Sequence, residues 1–170
     1  MARVILMSGP PDVLRATFAH HTWATATLID HLEALPRERL DDAIAGTYGS
    51  IVRTLTHLVD ADARYLQRLV MDRPPPALNR DEAALPTLRD DMRDHAKRWD
   101  EMLDRLEAGA LDASITGSED YPDTRHAEGL LMVQAIHHAN EHRAQVCSTL
   151  GALGEEVPDL SGWSYWLLKR

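Results

Sequence analysis

The chain has 170 residues, of which 44% are hydrophobic, and its formal net charge at pH 7 is -9. This length and composition suit one compact domain that buries a core, so we expect a single domain over residues 1–170. The acidic balance argues against nucleic acid as a partner, because affinity for phosphate depends on clustered lysine and arginine.

Two further features of the sequence predict a cytoplasmic protein that does not enter membranes. The longest apolar runs are far shorter than the roughly 20 residues that a membrane span requires, and the first residues lack the pattern of a secretory signal. The one cysteine, Cys147, cannot form an internal disulfide, which fits a reducing compartment.

Two amphipathic helices are predicted in the first half of the chain. Apolar residues recur at helical spacing over residues 12–35, and Pro36 ends this run. A second helix is predicted over residues 50–71, before three consecutive prolines. One broad face of this second helix carries Ile51, Leu55, Leu58, Asp62, Tyr65, Leu66 and Leu69.

The second half of the chain predicts two more helices and a tail. A charged helix with a thin apolar stripe is expected over about 87–108, and another over about 128–150, with the longest loop between them at 109–127. Four long helices without alternating strands predict an all-α, up-and-down four-helix bundle. The short apolar C-terminal tail, residues 158–170, is expected to fold back on the bundle or to meet a second subunit.

The segment AIHHANEHRAQV, residues 135–146, has the spacing of a metal site. Residues four apart share a helix face, so His138 and His142 can direct two imidazoles at one point. His137 points about 100° away and Cys147 about 180° away, so neither is a natural third ligand.

A zinc site that binds substrate commonly uses three protein ligands, so a third is needed from elsewhere. His57 is the strongest candidate because it is the only histidine of the second helix, and neighbouring helices of a bundle can share a metal site. Small residues on its face leave room for a cavity. However, His57 lies off the bulky apolar stripe, so periodicity alone predicts that it is exposed.

Two other interpretations of these histidines remain open. A pair four residues apart can be ordinary hydrogen-bonded or surface imidazoles. The order His138, Glu141, His142 also matches the H-x-x-E-H arrangement of inverted zinc peptidases, in which glutamate is the general base. The few acids after His142 make this zinc hydrolase the weaker hypothesis. The remaining histidines are expected at surface, capping or packing positions: His20, His21, His31, His95 and His126.

Three stretches of this sequence resemble the DinB/YfiT-like superfamily of four-helix metalloproteins. They are HTWATATLIDHL in the first helix, GSIVRTLTHLVDADARYLQRL in the second and HHANEHRAQVCSTLGALG in the fourth. The resemblance identifies His57, His138 and His142 as the metal triad. Many relatives have asparagine before the first late histidine and glycine after the arginine, where this chain has His137 and Ala144.

The resemblance also implies a function. It implies a dimer that binds zinc, nickel or another divalent ion, and in some relatives a transfer or isomerisation that uses a low-molecular-weight thiol such as bacillithiol or mycothiol. We therefore expect a metal-dependent, thiol-using enzyme that acts on a small molecule. The alternative is a metal-binding or stress-related bundle without catalysis.

Residues beside the triad are candidates for supporting roles. Glu141 and Gln145 could orient an imidazole, and Arg143 could contact substrate or a neighbouring helix. Arg64 and Arg68 follow His57 on its face and could bind a carboxylate of the substrate.

Overall fold

The computed structural model describes residues 10–70, 80–109 and 128–168. Across those ranges the chain forms six helices and no strand. The helices are α1 (Pro10–Leu32), α2 (Arg37–Leu40), α3 (Ile51–Val70), α4 (Leu85–Glu107), α5 (Glu128–Ala152) and α6 (Gly162–Leu168). None of the described helices is both long and apolar enough to span a membrane.

The four long helices of the sequence prediction correspond to α1, α3, α4 and α5, so the all-α class is confirmed. The first helix ends at Leu32 rather than Leu35, because the chain turns before Pro36 through a hydrogen bond from Leu35 N to Leu32 O. The short helices α2 and α6 were not predicted, since helices of this length depend on tertiary contacts more than on propensity. The loop predicted over 109–127 lies outside the described residues after Gly109.

Two apolar clusters show how the long helices are oriented. One cluster joins the later halves of α1 and α5 to the first halves of α3 and α4, and it includes Leu28, Leu55, Leu88 and Val146. The other joins the first halves of α1 and α5 to the later halves of α3 and α4, and it includes Phe18, Leu66, Met102 and Leu131. Helices α1 and α5 therefore run in one direction, and α3 and α4 run in the other.

The strict up-and-down order expected from sequence is therefore wrong for the pair α3 and α4, which lie side by side in the same direction. At their beginnings Ala83 N donates to Thr56 Oγ1 at 3.0 Å, and further along Trp99 Nε1 donates to Asp62 Oδ2 at 3.1 Å. The connection between them includes residues 71–79, which lie outside the described residues.

The C-terminal tail folds back onto α1, which was one of the two arrangements expected from the sequence. The ring of Tyr165 lies 5.2 Å from the ring of Trp23, and His20 Nε2 donates to Leu160 O at 2.8 Å. The opposite side of α6 faces outward, with 78% of Trp163 exposed. The tail thus closes one side of the helical core and leaves an apolar surface outside.

Candidate metal centre

Three histidines from α3 and α5 meet where these helices pack together; His142 is buried, and His57 and His138 are half-buried. His138 Nε2 lies 3.1 Å from His57 Nε2 and 3.1 Å from His142 Nε2. One ring nitrogen from each residue lies within 4.8 Å of the other two, so the three could hold a metal ion. The helix spacing of His138 and His142 provides two of these groups, and the packing of α3 against α5 brings in His57.

The spacing of these nitrogens fits a metal ion. Ligand nitrogens at about 2.0–2.1 Å from a tetrahedral zinc ion lie about 3.3 Å apart, close to the two distances at His138. Hydrogen bonding between the rings explains the contacts less well. His138 Nε2 carries at most one hydrogen atom, and one hydrogen atom cannot form a straight hydrogen bond to both His57 Nε2 and His142 Nε2. A shared cation satisfies all three lone pairs at once.

Gln145 fixes which nitrogen of His142 carries the hydrogen. Its Oε1 accepts from the backbone N–H of Tyr48 at 3.1 Å and lies 3.0 Å from His142 Nδ1. Because the backbone N–H can only donate, the side-chain atom between them must be the oxygen, and His142 Nδ1 must donate to it. This leaves the lone pair of His142 on Nε2, which is the nitrogen in the cluster.

The surroundings also favour the neutral form of two of the three imidazoles. Burial, together with the nearby His142 and Arg64, lowers the pKa of His57 to about 4. Burial and the neighbouring His142 and His57 lower the pKa of His138 to about 3. Both imidazoles are therefore neutral near pH 7, the form that coordinates metals.

Two tyrosines flank the histidines, and sequence reasoning missed Tyr48. Its ring stacks on His57 with centroids 4.1 Å apart and an interplanar angle of 19°, and it meets the ring of His142 edge-on at 5.4 Å. Tyr65 meets His138 edge-on at 6.0 Å. The one signal for Tyr48 in the sequence was an aromatic residue beside the glycines of a turn. In this turn Gly46 adopts a φ of 90°, a conformation that favours glycine.

Sequence-predicted supporting residues differ in their distance from the cluster. Arg64 is half-buried, and its charge contributes to the lowered pKa values of both His57 and His138. Arg68 is also half-buried, without a described contact to the cluster. Glu141 is exposed, and in the described part of the chain Gln145 rather than Glu141 meets His142. This arrangement gives the H-x-x-E-H hydrolase hypothesis no support.

Arg143 points away from the three histidines and towards α1. It is 4% exposed, and its Nη1 donates to Thr25 Oγ1 at 2.8 Å and to His21 O at 3.2 Å. Its Nη2 donates to Asn140 Oδ1. Burial lowers the pKa of Arg143 to about 10, which still leaves it charged at neutral pH. These contacts match the packing role that the sequence left open.

A second buried polar cluster surrounds Asp62, where α1, α3 and α4 meet. His21 Nε2 lies 3.1 Å from Asp62 Oδ1, and Trp99 Nε1 donates to both carboxylate oxygens. His95 Nδ1 lies 3.1 Å from Asp62 Oδ2 but is poorly aligned for a hydrogen bond. Burial alone would raise the pKa of Asp62, but His21 and His95 outweigh it and hold that pKa well below its usual range.

This cluster could have been inferred in part from the sequence. Asp62 lies on the apolar face of the second helix, where a carboxylate needs buried partners. His21 and His95 are buried at packing positions. His31 Nε2 donates to Glu156 O at 2.8 Å, His137 is exposed, and His126 lies outside the described residues.

Comparison with known proteins gives a family match that includes the candidate metal centre. A family model described as the DinB family matches residues 7–167. No curated protein matches the chain. The matched range contains the three histidines and the helices that carry them.

Proposed function

The chain belongs to the DinB family, and we propose that it is a metal-dependent enzyme of the thiol-transferase or thiol-dependent isomerase type. Its ligands in this proposal are His57, His138 and His142. The observation that carries the proposal is the convergence of their three Nε2 atoms from two separate helices. Zinc and nickel are the ions we favour, because imidazole binds both well.

The donor set suits catalysis more than a purely structural role. Structural zinc sites are usually filled by four protein ligands, whereas catalytic sites keep one position for water or substrate. Within the described residues the cluster provides three protein ligands, which are the three histidines. A divalent ion bound there would keep its full charge, because imidazole coordinates metals in its neutral form, and would lower the pKa of a bound thiol or water.

The residues around the cluster support binding of a small molecule. Tyr48 and Tyr65 provide aromatic walls on two sides, and the charge of Arg64 reaches the histidines. We propose that Arg64, with Arg68 one turn beyond it, attracts a carboxylate of the substrate or of a thiol such as mycothiol or bacillithiol. We further propose that the protein works as a homodimer in the cytoplasm.

Thiol conjugation with a reconstituted protein tests this function. The purified chain would be loaded with Zn²⁺ or Ni²⁺ and assayed with a low-molecular-weight thiol and an electrophile. The neighbouring residues His137 and His138 provide a matched pair. We expect His138→Ala to abolish metal-dependent turnover and His137→Ala to retain it, because only His138 lies in the cluster.

A second measurement follows thiol binding directly. Addition of thiol to the Co²⁺-loaded protein should produce a sulfur-to-metal charge-transfer band if a coordination position is open. Metal binding with no such band and no turnover, across several thiols, would overturn the enzymatic proposal. The protein would then be a metal-binding bundle without catalysis.

A further inference from the structure

The turn before α3 contacts two of the three proposed ligands through one residue, Tyr48. Its ring stacks on His57, and its backbone N–H shares the acceptor of His142 Nδ1, the side-chain oxygen of Gln145. The backbone contact therefore acts on α5, and the ring, which also meets the ring of His142 edge-on, acts on both helices. Tyr48 thus links His57 on α3 to His142 on α5.

We propose that Tyr48 is a positioning residue of the metal site, which aligns His57 and His142 and, because its ring covers both imidazoles, limits how many water molecules reach the bound ion. This inference rests on the proposed metal binding and adds a role for the turn at residues 41–50. The role does not require the tyrosine hydroxyl, because the contacts on which it depends are made by the ring and the backbone N–H.

Stacking restricts the rotation of His57. The two rings are nearly parallel, at 19°, with centroids 4.1 Å apart, so rotation of the imidazole about its Cβ–Cγ bond would drive it into the tyrosine ring. A ligand that is already oriented loses less conformational freedom when metal binds. Tyr48 should therefore increase metal affinity without making any contact with the ion.

The turn itself is anchored well enough to act in this way. Thr47 Oγ1 donates to Ile44 O at 2.8 Å, and Ile51 N donates to Asp42 O at 3.0 Å, so hydrogen bonds close the turn on both sides of Tyr48. The guanidinium of Arg53 lies 5.8 Å from the centroid of the Tyr48 ring, within the range of a cation–π contact.

The solvent exposure of the Tyr48 side chain allows its effect on metal binding to be told apart from an effect on the stability of the fold. Tyr48 is 47% exposed, whereas the core aromatics Phe18 and Trp99 are each 1% exposed. Truncation of a half-exposed side chain should change the free energy of unfolding only slightly. A large effect of Tyr48 on metal binding would therefore report its contacts with the histidines.

The test compares Zn²⁺ affinity, measured by competition with a chromophoric chelator, across variants of the full-length protein. We expect Tyr48→Ala to bind Zn²⁺ about tenfold more weakly, the lower end of the range for residues that orient metal ligands. Tyr48→Phe should retain wild-type affinity, because it keeps both the ring and the N–H. Trp163→Ala, which removes an exposed aromatic on α6, is the control for general loss of aromatic surface.

Two additional measurements distinguish the alignment of the metal ligands by Tyr48 from a general effect of the substitution on the fold. The visible absorption of the Co²⁺-loaded protein should weaken in Tyr48→Ala, as an added water ligand raises the coordination number, and should recover in Tyr48→Phe. The combined loss in Tyr48→Ala with Gln145→Leu should be smaller than the product of the single losses, because the two residues act through His142.

The outcomes distinguish this inference from the proposed function. If the wild-type chain binds neither Zn²⁺ nor Co²⁺, the metal-site proposal itself fails. If the wild type binds metal but Tyr48→Ala binds it equally well with an unchanged Co²⁺ spectrum, the site stands and the role of Tyr48 is wrong. A loss in Tyr48→Ala that Tyr48→Phe does not recover would also overturn the role of the ring.

Discussion

Gln145 and His142, three residues apart on α5, are joined by a 3.0 Å hydrogen bond from the imidazole Nδ1 to the amide Oε1. This bond sets the tautomer that directs Nε2 of His142 at the other two histidines. We predict that Gln145→Leu weakens Zn²⁺ binding by about 10–100-fold. Gln145→Glu, which keeps an acceptor oxygen, should bind Zn²⁺ at least as tightly as the wild type. Equal affinity of the leucine variant and the wild type in a chelator competition would contradict this role.

A second prediction concerns the pH dependence of the metal-free protein. His57 and His138 have folded-state pKa values lowered from 6.5 to about 4 and about 3, so between these values and 6.5 the unfolded chain binds more protons than the folded one. The free energy of unfolding should therefore fall as pH decreases below 6.5 and should be fully retained above it.

Urea unfolding in the presence of a chelator, at a series of pH values from neutral to acidic, measures this dependence. The double variant His57→Gln with His138→Gln should show a shallower decline than the wild type. His137→Gln should leave the decline unchanged, because His137 is exposed. A decline equally steep in the double variant and the wild type would contradict the assignment.

The buried carboxylate of Asp62 provides a third prediction. Asp62→Asn replaces one acceptor oxygen by an NH₂ group that must face Trp99 Nε1–H or His21 Nε2–H, both of which donate to it. We expect the variant to lose about 2–4 kcal/mol of unfolding free energy. Asp94→Asn, on the exposed side of α4, should lose less than about 0.5 kcal/mol. Similar stability of the two variants in urea would show that the buried cluster is not required.

A fourth prediction separates Arg143 from the metal site. Arg143→Met would leave Thr25 Oγ1 and His21 Nδ1 without their buried donor, so we expect a loss of about 2–3 kcal/mol in unfolding free energy. Zn²⁺ affinity should change far less than the roughly tenfold effect of a residue that orients a ligand. A large loss of affinity in a variant that remains folded would instead place Arg143 in the site.

The sequence predicted the parts of this structure that depend on local periodicity. Helical spacing identified the four long helices, and the separation of His138 and His142 predicted their shared face. The position of His57 was the uncertain part, because it lies off the apolar stripe of its own helix. Its half-buried environment is created by α5, which is distant in sequence, and by Tyr48 in the turn before α3.

Other features could not be predicted because they depend on how helices pack. The parallel direction of α3 and α4 appears in core contacts between residues that are far apart in sequence, and such contacts leave no periodic signal in either helix. Tyr48 lies in a turn, where helical or strand patterns give no information about its neighbours. The network around Asp62 joins α1, α3 and α4, so no single segment reveals it.

Metal content of the purified protein tests the central claim most directly. After loading with Zn²⁺ and removal of excess ion, elemental analysis should find one ion per chain in the wild type and in His137→Ala. The triple variant His57→Ala, His138→Ala, His142→Ala should retain none while keeping its helical circular-dichroism spectrum. An equal metal content in the triple variant and the wild type would contradict the assignment of these three histidines as ligands.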